Sequence, residues 1–355
     1  DLHEGHQITN NETESAAFAL NNGIDLDVGS VYEKLIDALE KKLVDEKRID
    51  EALERNLILK LKLDLLEHQG SIYDSITDSV VNCEKHRELA LKVAQKGVVL
   101  LENKDNCLPL QKSINSLYIT GPNASSVDAL MANYYGLNPR LVTILEGICS
   151  KVDAGTMVDY KPGFQLNQPN VNPIDWMTYD AIQADVVIAV IGLSNMIEGE
   201  EGESLFSATY GDKVSIAIPE NQIHHLKKIR SKYNGKLVVV VCSGSAIDLR
   251  EIKELADALL WVWYPGEEGG TAVADILFGE VSPSGKLPIT MYKSDEQLPD
   301  FSDYSMRNRT YRYFTDTPLY PFGFGMTYSQ FEISNLSINK IVEGDKVFFE
   351  FKVCI

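Results

Sequence analysis

The residues best suited to acid–base chemistry form an acidic run, Glu198-Gly-Glu200-Glu201-Gly-Glu203. The run directly follows the apolar stretch 186–191, which is typical of a buried strand. Four carboxylates in six positions repel one another, and partial burial of the loop removes water from them; both effects raise a carboxyl pKa. A raised pKa is what a general acid requires near neutral pH. A solvated acidic loop is the alternative interpretation.

Other kinds of site lack their motifs. A dinucleotide or phosphate site needs a glycine-rich turn with free N–H groups, and neither G-x-G-x-x-G nor G-x-x-x-x-G-K-[ST] occurs. The nearest turn, 265–270, places Glu267 and Glu268 where a phosphate would lie. No calcium-loop pattern, no metal-spaced Cys/His cluster and no G-x-S-x-G nucleophile motif is present. The sequence therefore predicts no metal and no organic cofactor, and Ser243-Gly244-Ser245 is interpreted as a tight strand-to-helix turn.

Charge excludes further partners. The 355 residues contain 33 Lys and Arg against 52 Asp and Glu, a net charge of -19. Such a surface repels phosphate, so nucleic acid and anionic membranes are not expected partners, and no apolar stretch approaches the ~18 residues of a membrane helix. A neutral ligand such as a sugar is compatible with this charge.

The acidic run lies in a predicted α/β domain over residues 85–292. Near-continuous apolar runs, most of them followed by a helical pattern, indicate strands that are buried on both faces, as in a mostly parallel sheet: 98–101, 117–120, 186–191, 237–241 and 258–263. In open α/β sheets, ligands bind beyond the carboxyl ends of the strands. The acidic run occupies that position.

The flanking segments have different patterns. Residues 12–66 are predicted to be helical, with a leucine-rich stripe over 49–65, and 67–84 is a polar linker. The aromatic segment 293–325 predicts an ordered connecting loop. Within 326–355, apolar and polar residues alternate over 331–336 and 346–353, which predicts about two strands of a β-sandwich; two strands do not form a sandwich alone.

Short motifs in a fixed order cover nearly the whole chain: Asp1-Leu-His3-Glu-Gly-His6, Ala19-Leu-Asn-Asn-Gly-Ile-Asp25-Leu-Asp27, Ala94-Gln-Lys-Gly-Val-Val-Leu-Leu-Glu-Asn103, Gly121-Pro-Asn123, Asn133-Tyr-Tyr-Gly136, Val142-Thr-Ile-Leu-Glu-Gly147, Ser282-Pro-Ser-Gly-Lys-Leu-Pro288, Thr310-Tyr-Arg-Tyr-Phe314 and Tyr320-Pro-Phe-Gly-Phe-Gly325. In this order they resemble glycoside hydrolase family 3, in its β-xylosidase-type branch.

The resemblance implies a three-part α/β architecture. Residues 1–66 would be the C-terminal part, or remnant, of a (β/α)8 TIM-barrel catalytic domain. Residues 85–292 would be an α/β sandwich domain that carries the acid/base loop, and 326–355 the truncated start of a fibronectin III-like β-sandwich.

The resemblance also implies site residues. Members of the branch carry the general acid/base glutamate in a Glu-x-Glu context followed by an Asp-Arg pair. Glu198-Gly-Glu200 matches the first part and Asp212-Lys213 the second, with Lys in place of Arg and extra residues between. Glu200 is the first choice as acid/base, and Glu201 and Glu198 are alternatives because the loop is lengthened.

The family's nucleophilic aspartate lies in a Ser-Asp barrel segment that these 355 residues do not contain. Asp1 matches a later aspartate, so the chain by itself is expected to be inactive. By the same resemblance, His3 helps to line the sugar pocket, and Asp25 and Asp27 stabilise a barrel loop.

The function implied is a retaining β-glycosidase that releases xylose or glucose from the non-reducing ends of oligosaccharides, outside the cell or in the periplasm. The alternative is a non-catalytic sugar-binding or interaction module on the same scaffold. The sequence determines neither the preferred sugar nor the oligomeric state.

Overall fold

The computed structural model describes residues 2–66, 70–172, 174–200, 204–209, 211–300 and 302–354. The chain forms two compact units, Asp1–Val81 and Asn82–Ile355. The boundary between the units lies inside the polar segment 67–84.

The first unit is a small helical cluster. Its helices are α1 (Glu12–Asn21), α2 (Leu35–Glu40) and α3 (Glu46–Lys62), with 3-10 turns at Val31–Lys34 and Asp78–Val80. Asn11 begins α1, because its side chain accepts a hydrogen bond from the backbone N–H of Glu14 at 3.0 Å. Leu20 of α1, Ala38 of α2 and Ala52 of α3 share a small core. The leucine stripe of α3 is largely exposed, with Leu61 54% accessible.

The second unit is built around a six-stranded sheet in the order β1-β6-β5-β4-β2-β3. Neighbouring strands are parallel except for β1, which runs antiparallel to β6. The predicted mostly parallel α/β sheet is confirmed. Its strands are β1 (Val99–Asn103), β2 (Ser116–Thr120), β3 (Met157–Lys161), β4 (Val186–Gly192), β5 (Lys236–Cys242) and β6 (Ala258–Trp261).

Apolar β-branched residues explain the central strands. Every residue of β4 is buried, and so is every residue of β5 except Lys236. Because side chains alternate along a strand, Val187 and Ile191 enter one apolar layer, whereas Val186 and Val190 enter the other. A strand with an apolar layer on each face is fixed in register and can hold a loop at its carboxyl end.

Helices form both layers: α4 (Glu84–Gly97), α5 (Ile144–Cys149), α6 (Trp176–Ala181), α7 (Glu220–Arg230), α8 (Arg250–Leu255) and α9 (Gly269–Leu277). Helix α5 crosses α9 at very close range. A Cβ atom on Gly147 would lie 2.0 Å from the carbonyl oxygen of Gly270. The crossing therefore requires glycine at this point.

The sequence analysis missed β3. Its residues, Met-Val-Asp-Tyr-Lys, mix polar and apolar side chains, because β3 is a half-exposed edge strand rather than a buried one. The predicted strand 331–336 also begins later than expected, as part of β7 (Ser334–Glu343), which pairs antiparallel with β8 (Lys346–Cys354). This hairpin is almost entirely exposed.

The segment 293–325 contains a 3-10 turn at Asp295–Gln297 and the short helix α10 (Thr310–Tyr313). Tyr320 is its buried anchor: its hydroxyl donates to Glu102 at 2.8 Å, and Lys253 lies 4.8 Å from its ring centre. An aromatic residue thus ties this segment to β1 and α8.

Candidate active site in the loop after strand β4

The acidic loop leaves the carboxyl end of β4, in the middle of the sheet. Strands β5 and β6 run parallel to β4. Their following segments, 243–245 and 262–268, therefore begin at the same edge of the sheet. Three loops can thus place side chains together at the edge where α/β proteins bind ligands.

The base of the acidic loop is closed by its own hydrogen bonds. The backbone N–H of Phe206 donates to Met196 at 2.9 Å, and the buried Ser204 hydroxyl donates to the carbonyl of Ile197 at 3.2 Å. Gly199, between the first two glutamates, has no room for a side chain, since a Cβ there would lie 2.7 Å from the carbonyl oxygen of Asn195. Packing of the loop therefore requires glycine between the two glutamates.

Glu198 is surrounded by hydrogen-bond donors. Its carboxylate accepts from the backbone N–H of Gly244 at 2.8 Å and from the hydroxyls of Ser245 and Tyr264, and the Lys213 ammonium lies 3.3 Å away. Only 10% of its side chain is exposed. We call these five residues the Glu198 cluster.

The acceptor positions of Glu198 are filled in this environment. An ionised carboxylate has about four lone-pair sites, and four donors meet it here. A general acid needs a free path to the leaving group, and here the donors occupy the carboxylate oxygens of Glu198. The structure thus encloses Glu198, one of the three acid/base candidates, among four donors.

Tyr264 remains protonated in this cluster. Burial raises the pKa of its phenol far above the usual value, and the nearby charge of Glu198 raises it further. The hydroxyl therefore acts as a donor to Glu198.

Glu200 lies two residues further on and is exposed. Its carboxylate accepts a hydrogen bond from the Tyr134 hydroxyl. The neighbouring Asn133 donates its side-chain amide to the backbone carbonyl of Glu198 at 3.1 Å. The Asn-Tyr-Tyr-Gly segment 133–136 thus contacts the loop at both of its first two glutamates.

The third candidate, Glu201, lies outside the described residues. Among the candidates that the structure describes, Glu200 alone combines exposure with a position beyond the carboxyl end of β4.

The turn 265–270, rejected above as a phosphate site, is occupied by an ion-pair network. Arg87 of α4 is buried and pairs with Glu267 at 3.3 Å and with Glu268. Its guanidinium also donates to the carbonyl of Arg140 at 2.9 Å. These carboxylates stabilise the α4 interface.

The remaining candidates lie in the first unit. His3 Nδ1 is 3.3 Å from the Ser15 hydroxyl. Asp25 accepts from Arg48 at 2.9 Å and from Arg55 at 2.6 Å, and these hydrogen bonds hold its pKa far below the usual range. Asp27 accepts from the backbone N–H groups of Gly29 and Tyr32 at 3.0 and 3.2 Å. Asp1 lies outside the described residues.

Within the described ranges, no group of three or more His, Cys, Asp or Glu is arranged to hold a metal ion. No described helix combines the length and apolar character needed to cross a membrane.

Three members of the cluster escaped the sequence analysis: Ser245, Tyr264 and the Gly244 N–H. Each was visible only as part of a turn after a strand, and no spacing links these positions to Glu198. Lys213 was matched to the Asp-Arg pair, but its partner became visible only in three dimensions.

Comparison with known proteins identifies the family. Residues 98–328 match the model of the glycosyl hydrolase family 3 C-terminal domain. The chain therefore belongs to glycosyl hydrolase family 3, as the motifs indicated.

Among similar proteins, a probable exo-1,4-beta-xylosidase of Aspergillus fumigatus is 36% identical over 94% of this chain and 43% of its own length. A xylan 1,4-beta-xylosidase of Xylanibacter ruminicola is 28% identical over 97% and 57%. A solved family 3 exo-beta-xylosidase, in complex with a xylobiose aziridine probe, has a TM-score of 0.81 at 31% identity and covers 94% of this chain and 43% of that one. The chain thus spans about half the length of these relatives.

Proposed function

We propose that the whole protein containing this chain is a retaining β-glycosidase that removes xylose or glucose from the non-reducing ends of oligosaccharides, with Glu200 as general acid/base. One observation carries the assignment to Glu200: in one loop, Glu198 has its acceptor sites filled, whereas Glu200 is exposed. The names of the curated relatives, which are xylosidases, support the reaction class and favour xylose, and several similar solved structures named β-glucosidases keep glucose in the proposal.

A retaining mechanism uses two carboxyl groups about 5–5.5 Å apart. In the first step, a nucleophilic carboxylate bonds to the anomeric carbon while Glu200 gives its proton to the departing glycosidic oxygen. In the second step, Glu200 takes a proton from water, which attacks the anomeric carbon and releases the nucleophile. No carboxylate of this chain is assigned as the nucleophile; the family resemblance implies an aspartate in a Ser-Asp segment.

The test uses the full-length protein with 4-nitrophenyl β-xyloside and β-glucoside. With Glu200→Ala, we expect slow turnover that azide restores, because azide attacks the glycosyl intermediate without a general base. The product should be the β-glycosyl azide. Glu220→Gln, an exposed carboxylate at the start of α7, is the matched control and should behave as wild type. Unchanged hydrolysis by Glu200→Ala would exclude Glu200.

The finer architecture is also proposed. Residues 1–66 would be the end of a barrel and 326–355 the start of a fibronectin III-like sandwich. The exposed leucines of α3 and the exposed apolar residues of the β7–β8 hairpin support this, because such faces require further chain to cover them. An extracellular or periplasmic location remains a prediction.

A further inference from the structure

The Glu198 cluster joins the segments that follow three parallel strands. Glu198 itself follows β4, Ser245 follows β5, and Tyr264 follows β6. Lys213 closes the cluster, since its ammonium also donates to the Ser245 hydroxyl at 2.7 Å. A single carboxylate thus fixes the acidic loop to two neighbouring loops that the rigid sheet holds in place.

The position of Glu200 depends on this attachment. Only Gly199 separates the two glutamates, so their Cα atoms lie within about 7 Å of each other. Gly199 is itself packed against the Asn195 carbonyl, so a shift of Glu198 also moves the backbone that carries Glu200. Proton transfer requires the donor within hydrogen-bond reach of the leaving oxygen. Misplacement by about 1 Å can cost on the order of 100-fold in rate.

The Glu198 cluster requires the negative charge of residue 198 as well as a side chain of its volume. A glutamine at position 198 has nearly the same volume, but its amide offers one acceptor oxygen and an NH₂ group that donates. That NH₂ would face the donors that now meet Glu198, and the Lys213 ammonium would lose its counter-charge. Glu198→Gln therefore disturbs the attachment with little change in packing volume.

We propose that Glu198 is the positioning residue of the acid/base: its carboxylate, held by Lys213, Ser245, Tyr264 and the Gly244 N–H, orients the loop so that Glu200 reaches the glycosidic oxygen. The inference rests on the proposed function of Glu200. It extends to Lys213, which acts through Glu198.

Leaving-group dependence separates positioning from general structural support. A glycoside whose leaving group departs without protonation, such as 2,4-dinitrophenyl β-xyloside, does not need the acid in bond cleavage, whereas xylobiose does. A misplaced Glu200 therefore slows xylobiose hydrolysis far more than cleavage of the activated substrate. A variant that only reduces the amount of folded protein lowers the rates on xylobiose and on the activated substrate by the same factor.

The experiment measures kcat/KM on both substrates for full-length wild type, Glu198→Gln, Lys213→Met, Lys213→Arg and Glu200→Gln, with Glu220→Gln as control. We expect Glu198→Gln and Lys213→Met to lose about 10- to 100-fold on xylobiose and only a few-fold on the activated glycoside. Lys213→Arg, which keeps the cation, should stay within a few-fold of wild type on both.

The outcomes distinguish the two proposals. If Glu200→Gln shows no leaving-group dependence, the proposed function of Glu200 fails. If Glu200→Gln shows it while Glu198→Gln and Lys213→Met lose equally on both substrates, or lose nothing, the positioning role alone is overturned. Lys213→Met keeps the test valid if Glu198→Gln does not fold, since it leaves the carboxylate in place.

Discussion

The two ends of the Glu198-Gly-Glu200 segment place the same functional group in opposite environments. Glu198 is buried among four donors, whereas Glu200 is exposed with the Tyr134 hydroxyl as its partner. A carboxylate with filled acceptor sites stabilises a loop, and one with access to solvent is free to exchange a proton with a substrate. Spacing in the sequence does not separate these two environments; the tertiary contacts do.

His225 extends the comparison to a buried group with an unpaired atom. Its side chain is 6% exposed and packs on Phe164 at 4.5 Å between ring centres. Among the described residues, its Nε2 atom has no hydrogen-bond partner. Burial without a compensating partner lowers the pKa of His225 to about 4, whereas the buried Glu198 is surrounded by donors.

The largest effect is expected from Glu200→Gln. Loss of general acid catalysis typically costs about 10²–10⁴-fold, so kcat on xylobiose should fall by that range. Steady-state kinetics of wild type and Glu200→Gln on xylobiose, with 4-nitrophenyl β-xyloside as a second substrate, measures this fall in kcat. Equal activity of the wild type and this variant would remove the contrast between Glu198 and Glu200.

Glu198→Leu tests how much the enclosed carboxylate of Glu198 contributes to stability. Removing one partner of a buried pair typically costs about 3–5 kcal/mol, and the change would strand the Lys213 ammonium and the donors around it. Urea unfolding of the full-length variant measures this loss, and Glu220→Gln should unfold as wild type does. A loss below 1 kcal/mol would show that the cluster is not held by Glu198.

His225 predicts a pH dependence of stability. At pH 7 both the folded and the unfolded states hold a neutral imidazole; between pH 6.5 and 4 only the unfolded state gains the proton, so stability falls as pH falls. A shift from 6.5 to about 4 corresponds to about 3 kcal/mol. His225→Phe retains an aromatic ring packed on Phe164. Between pH 7 and 4, its free energy of unfolding should therefore fall by about 3 kcal/mol less than that of wild type. The free energy of unfolding is measured by urea unfolding at both pH values. An equal decrease in wild type and His225→Phe would contradict this prediction.

Tyr264→Phe removes one donor from Glu198 and leaves the ring in place. Hydrogen bonds to charged groups contribute about 1.5–3 kcal/mol, so a loss near 2 kcal/mol is expected in urea unfolding. An unchanged midpoint would indicate that another donor replaces the tyrosine hydroxyl.

Tyr134→Phe should have the smallest effect. Tyr134 is 85% exposed, and an exposed hydrogen bond to Glu200 competes with water. We expect a change in kcat of a few-fold at most, with stability unaltered. A 100-fold loss would instead place the Tyr134 hydroxyl among the groups that act on the substrate.

The sheet was largely predictable, for a local reason. Runs such as 186–191 and 237–241 are apolar enough that only a strand covered on both faces accommodates them. The half-polar strand β3 carried no such signal, because an edge strand is only partly buried. The start of β7 was misplaced by three residues, as alternation continues beyond the paired region.

The sequence by itself determined the α/β class and the family, because strand burial and ordered motifs are local properties, and it predicted a loop for the acid/base. It left Glu198, Glu200 and Glu201 as alternatives. Only the tertiary structure gives the first two different surroundings, since Lys213, Ser245 and Tyr264 are 15, 47 and 66 residues from Glu198 and meet it only at the shared edge of the sheet. Which carboxylate is enclosed and which is open depends on those contacts.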